Sequence, residues 1–127
     1  MQTIFPIIRY KDARSAIEWL CRCFGFIELF SVPESGSIVR HAQLKLGSNI
    51  IMLGSVRPDG ITSPQEIGIT TQALYVYLDD LDTHYQNTRL AGVEIISPLK
   101  DTDFGAREYH TRDIEGHLWT FGTFLPQ

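Results

Sequence analysis

The chain has 127 residues, 43% hydrophobic, 20% charged and 11% aromatic, with a formal net charge of −4, which describes a single soluble domain rather than two independent cores. Fifteen Asp and Glu against eleven Lys and Arg, with no basic run, exclude an electrostatic footprint for nucleic acid or an anionic membrane surface. The longest aliphatic run, Ile50 to Leu53, falls far short of the roughly 20 apolar residues that span a bilayer, and the N-terminus lacks the basic-then-apolar pattern of a secretory signal, so a cytoplasmic protein is expected.

In chain order, alternating apolar residues from Thr3 to Tyr10 predict a strand. Asp12 then opens a helical stretch, Ala13 to Phe24, and Gly25 just past its end supplies a left-handed cap. Ala16, Leu20, Cys23 and Phe24 share one stripe of this helix, with Arg14, Glu18 and Arg22 on the other face. Cys21 and Cys23, the only cysteines, point about 200° apart on a helix. A lone C-x-C is a poor zinc signal, so both read as ordinary helix residues in a reducing compartment. Three short β stretches follow, Ile27 to Val32, Ile38 to Leu46 and Asn49 to Leu53. From Val56 to Thr71, Pro58, Gly60, Pro64 and Gly68 are expected to break regular structure; a connection this long bridges modules or covers a site. A strand at Gln72 to Leu78 and a helix at Leu81 to Ala91, opened by Asp80 and closed by Gly92, come next, then β stretches at Val93 to Ile96, Ala106 to Arg112 and Leu118 to Phe124.

The punctuation of the first half therefore recurs in the second at an offset of 67 to 69 residues: Asp12 maps to Asp80, Gly25 to Gly92, Gly36 to Gly105 and Gly47 to Gly116. Two βαβββ modules of equal length, 3–55 and 72–124, joined by a linker at 56–71, point to a duplication.

The stretch D-F-G-A-R-E-Y-H-T-R-D-I-E-G-H-L-W-T-F-G-T-F, Asp103 to Phe124, resembles the "FG-x-R-x-x-x-x-x-D-P-D-G-x-x-W" ending of glyoxalase-like proteins, with Ile114 where that family usually has Pro. With the repeat, it makes the whole chain resemble the vicinal oxygen chelate superfamily, which holds glyoxalase I, bleomycin resistance proteins, fosfomycin resistance proteins and extradiol dioxygenases. The first-half segments R-Y-K-D-A-R-S-A-I-E-W-L-C-R-C-F-G-F and H-A-Q-L-K-L-G-S-N-I-I-M-L are similar to its PhnB-like branch. The resemblance implies an α+β fold in which two tandem βαβββ modules form a cupped mixed sheet, helices outside and a ligand cavity inside. Strand alternation then assigns Ala42, Leu44, Leu46, Trp119 and Phe121 to the helix side. His41, Gln43, Lys45, Glu108, His110, Arg112, Leu118, Thr120 and Gly122 are assigned to the cup. His84 and His117 are expected in solvent.

Metal-using members of that superfamily take ligands from the first and last strands of each module. Counting from K-D, D-D-L-D, I-I-M-L and H-L-W-T-F places Phe5, Ala73, Met52 and Thr120 there. A phenyl ring, a methyl group and a thioether are not ligands for a divalent cation, so neither metal nor other cofactor is expected. There is no phosphate loop, nucleophile-elbow serine, C-x-x-C or H-E-x-x-H. Two functions stay open. One is a metal-free binder similar to the bleomycin resistance proteins, its ligand held by His41, Gln43, Met52, Tyr75, Glu108, His110 and Thr120 in a homodimer. The other is a lyase, isomerase or dioxygenase with a non-standard metal site, in which Glu108 and His110 would move protons. The four replaced positions favour the binder.

Overall fold

Each half of the chain runs strand, helix, three strands, in the order that the repeat predicts. The computed structural model describes all 127 residues. Its elements are β1 (Ile7–Tyr10), α1 (Ala13–Phe24), β2 (Ile27–Val32), β3 (His41–Leu46), β4 (Asn49–Ser55), α2 (Pro64–Ile67), β5 (Ala73–Tyr77), α3 (Leu81–Leu90), β6 (Ile95–Asp101), β7 (Arg107–Arg112) and β8 (Leu118–Gly122). Met1–Ile69 form one unit and Thr70–Gln127 the other. Each unit carries its own four-stranded mixed sheet, ordered β1-β4-β3-β2 in the first and β5-β8-β7-β6 in the second. The first and last strand of each module pair in parallel and the other pairs are antiparallel. The α+β fold of tandem βαβββ modules is the observed one.

α1 has the predicted bounds because both of its ends are chemically marked. The Asp12 carboxylate accepts from the Ser15 N–H at the N-terminus, and Gly25, at φ 86°, turns the chain at the C-terminus while its N–H reaches the Leu20 carbonyl. Asp80 caps α3 through Thr83 in the same way.

Four expectations are corrected where hydrogen bonding overrides pattern. The first strand starts at Ile7, not Thr3, since Pro6 has no N–H for a ladder and only its carbonyl pairs, with the Met52 N–H at 3.0 Å. The third starts at His41, not Ile38: the Val39 N–H bonds the Ser55 hydroxyl at 2.8 Å instead of a ladder carbonyl. The sixth continues through Pro98 to Asp101, which an edge strand tolerates. The connection contains a helix after all, α2, begun by Ser63 and Pro64 and ended by Gly68 at φ 80°. Residues 56–69 group with the first module, tied to it by Arg9, whose guanidinium donates to both Asp59 carboxylate oxygens at 2.8 and 3.1 Å and holds that carboxyl below its usual pKa.

Strand alternation sorts the core as expected. Ala42, Leu44, Tyr109, Thr111, Trp119 and Phe121 are buried, as are Ala16, Leu20, Cys23 and Phe24 of α1; Leu46, at a strand end, is half-buried. In the second unit the turn from β7 to β8 is organised by Asp113, only 5% exposed. Its Oδ1 accepts from the Glu115 and His117 backbone N–H groups at 3.0 and 3.1 Å, and its Oδ2 from Trp119 Nε1 at 3.0 Å. This accounts physically for the D-I-E-G-H-L-W motif: one carboxylate closes the turn and satisfies the indole of the largest core side chain. His84 and His117 are half-buried rather than solvated. His84 Nδ1 lies 2.6 Å from the Tyr109 hydroxyl, which also meets Thr88 Oγ1 at 3.0 Å; burial pushes the Tyr109 phenol far up.

Trp119→Ala is expected to cost about 3 to 5 kcal/mol, the range for deleting a buried large aromatic. Asp113→Ala, which strands three donors, is expected to cost about 3 kcal/mol. Urea titrations check both, and an Asp113→Ala protein of unchanged midpoint would remove Asp113 from this role.

Candidate ligand-binding site

The face of the second sheet away from its buried side carries a row of hydrogen-bonded polar side chains. β5, β8, β7 and β6 align Tyr75 with Thr120, Thr120 with His110, and His110 with Ser97. Register thus brings a phenol, a hydroxyl and an imidazole from three strands into one row. His110 is bonded on both ring nitrogens: Nε2 meets Glu108 Oε2 at 2.8 Å and Nδ1 meets Thr120 Oγ1 at 2.7 Å. The His110 and Glu108 side chains remain 34% and 21% exposed, so the array is sheltered yet in reach of solvent. Burial and the nearby Glu108 charge push the Tyr75 phenol up, against its hydrogen bond to Phe124.

Gly122 makes room for Tyr75. A Cβ there would lie 2.6 Å from the Tyr75 hydroxyl and 3.1 Å from the Arg107 carbonyl. The bare backbone lets the ring lie over β8 and donate to the Phe124 carbonyl at 2.6 Å. Gly54, its counterpart in the first module, likewise admits Arg57, which donates to the Arg40 carbonyl at 2.7 Å. Alternation assigns Gly122 to the cup side but does not reveal the room it makes for Tyr75, and it does not single out Ser97; the repeated glycine two residues beyond Met52 and Thr120 was the signal available.

The matching row of the first sheet is Ile7, Met52, Gln43 and Phe30. Gln43 Nε2 lies 3.1 Å from His41 Nε2, and the Phe30 ring is 5.7 Å from that imidazole. His41, Gln43 and Met52 therefore cluster on one sheet, and Tyr75, Glu108, His110 and Thr120 on the other. By register Ile7 faces Met52, Tyr75 faces Thr120 and Ala73 faces Leu118, while Phe5, expected on the first strand, lies just before β1.

Residues 3–121 match the profile of the Glyoxalase/Bleomycin resistance protein/Dioxygenase superfamily. The chain belongs to this superfamily. Among solved structures it is similar to TioX from Micromonospora sp. ML1, with 34% identity, a TM-score of 0.80 and coverage of 99% of this chain and 98% of that one. It shares its fold with a superfamily member from Alicyclobacillus acidocaldarius, at 14% identity and a TM-score of 0.71, covering 98% and 92% of the two chains. A 28% identical relative, Rv0887c of Mycobacterium tuberculosis, aligns over 121 residues, 92% of this chain and 71% of that protein.

The superfamily's metal chemistry does not fit this donor set. Phe5, Met52, Ala73 and Thr120 present a ring, a thioether, a methyl group and a hydroxyl, and no three His, Cys, Asp or Glu side chains come together to hold an ion. Glu108 Oε2 and Thr120 Oγ1 are each hydrogen-bonded to His110.

Gly122→Ala is expected to displace Tyr75 and cost about 1 to 3 kcal/mol through overpacking. In a Tyr75→Ala background the cost should fall, with only the Arg107 carbonyl still close. Equal costs in both backgrounds, measured by denaturant unfolding, would separate Gly122 from Tyr75.

Proposed function

We propose that the protein binds a small organic molecule without a metal, holding it on the open face of the second sheet rather than transforming it. The observation that carries this reading is the Glu108–His110–Thr120 array: polar groups held in place by one another, half-exposed beside Tyr75, on a chain whose metal-site positions hold no ligand set. Such a mixture of aromatic wall and few fixed polar groups is the usual make-up of a ligand site. On the first sheet His41, Gln43 and Met52 offer a less polar face of the same kind, and we include them among the binding residues. The reading extends to a cytoplasmic homodimer of the PhnB-like branch. It is supported by the first-half sequence, by Cys21 and Cys23 forming no disulfide, and by exposed apolar residues such as Ile7, Ile27 and Phe30 on edge strands.

Elemental analysis of protein purified without chelator is expected to show no stoichiometric zinc, nickel, manganese or iron. Replacing Glu108 and His110 by Gln and Ala should weaken fragment binding at least tenfold while shifting stability by less than about 1 kcal/mol, because neither side chain fills the core. Tight metal binding abolished by that double change would instead make the protein a metalloenzyme. Light scattering giving a mass near 14.4 kDa at micromolar concentration would overturn the dimer.

A further inference from the structure

The Glu108–His110–Thr120 array fixes where its protons must be. The Glu108 carboxylate can only accept, so His110 Nε2, 2.8 Å away, carries a hydrogen. In neutral His110 the other nitrogen is then bare. It must accept, and the only hydrogen bond it makes is with Thr120 Oγ1 at 2.7 Å. The Thr120 proton is therefore committed to His110, and Thr120 shows a ligand only lone pairs. When His110 gains a proton, Nδ1 becomes the donor, the Thr120 oxygen accepts, and the hydroxyl hydrogen is released toward the open face. Glu108 accepts in either state, so Thr120 alone changes polarity.

Charge gives no comparable preference. Glu108 is opposed across the ladder by Lys100 of β6, and Arg112 lies two residues beyond His110 on β7, pairing loosely with Glu94 at 3.7 Å. On β5 Tyr75 bonds the Phe124 carbonyl and Tyr77 the Asp79 carboxylate. Both phenols are pushed up from their ordinary value, Tyr75 chiefly by burial and Tyr77 chiefly by Asp79, so neither ionises where a histidine does. β8 contributes no titratable group to this face, and Ser97 stands opposite His110 on β6. A balanced charge and two half-exposed aromatic rings suit an uncharged aromatic guest.

We propose that this site selects an uncharged aromatic ligand that donates an N–H or O–H hydrogen bond to Thr120 Oγ1, and that a proton taken up by His110 reverses the preference toward a ligand that accepts. This rests on the reading of the second sheet's open face as the ligand site, and it adds both a ligand class and a proton-linked selectivity.

The test uses four probes that do not titrate between pH 5 and 9: indole as donor, 1-methylindole as its blocked counterpart, acetophenone as acceptor, and naphthalene as neither. Affinities are read from NMR shifts of the labelled full-length protein at Thr120 and His110. Above the His110 transition, followed by its own ring resonances, indole should bind about fivefold more tightly than 1-methylindole, the worth of one net hydrogen bond. Below the transition that ratio should fall toward one while acetophenone gains over naphthalene. Thr120→Val should erase both preferences, and His110→Phe should erase their pH dependence while leaving the fold intact. Indole and 1-methylindole binding equally at every pH would overturn the polarity proposal and leave the binding function standing. Shifts at Thr120 and His110 with none of the four probes would overturn both.

Discussion

The two-residue alternation of a β-strand is the constraint on which this structure depends. In β3, β4, β7 and β8 one set of side chains builds the core and the other set forms the open face, so a slip of one residue would bury His110 and expose Tyr109. Register is therefore pinned at the turns. β3 and β4 are joined by a two-residue turn with Gly47 at φ 62°. β7 and β8 are joined by the longer loop that the Asp113 carboxylate closes onto Trp119. A core indole and the open face of the second sheet are thus set by one buried carboxyl group.

The two modules share a backbone plan and differ in chemistry. The rows Ile7–Met52–Gln43–Phe30 and Tyr75–Thr120–His110–Ser97 occupy equivalent register positions, yet the first is mostly apolar and the second almost wholly polar. The equivalent glycines, Gly54 and Gly122, give way to a guanidinium in one module and a phenol in the other. Each module has thereby been free to specialise without altering the ladder that holds it.

Much of this was legible in the sequence, for identifiable reasons. α1 was readable to the residue because Asp12 and Gly25 mark its ends with side-chain and backbone chemistry. The sorting of Trp119, Phe121, Ala42 and Leu44 from His110, Thr120, Gln43 and His41 followed from alternation alone. What stayed hidden depends on partners distant in sequence. Pro6, the Ser55 hydroxyl and the edge position of β6 moved three strand boundaries, and the brief helix α2 lay within a segment whose prolines and glycines read as breakers. Which residues faced Met52 and Thr120 needed the parallel registers of β1 with β4 and of β5 with β8. The hydrogen bonds of His110 likewise needed the β7–β8 register, because no spacing in the sequence brings Thr120 opposite an imidazole.

β6 has a further consequence. It is an outer strand of its sheet, yet it contains Pro98 and its pairing with β7 shifts register twice, between Ile95 and Ser97 and again between Ser97 and Lys100. Its free side therefore offers an incoming chain an interrupted row of donors and acceptors, with one donor missing altogether and a lysine at the second break. A foreign strand cannot extend the sheet there in continuous register. The polar row ends on this border strand at Ser97 and His110 sits one strand in, so the broken edge also keeps sheet extension away from the His110 neighbourhood.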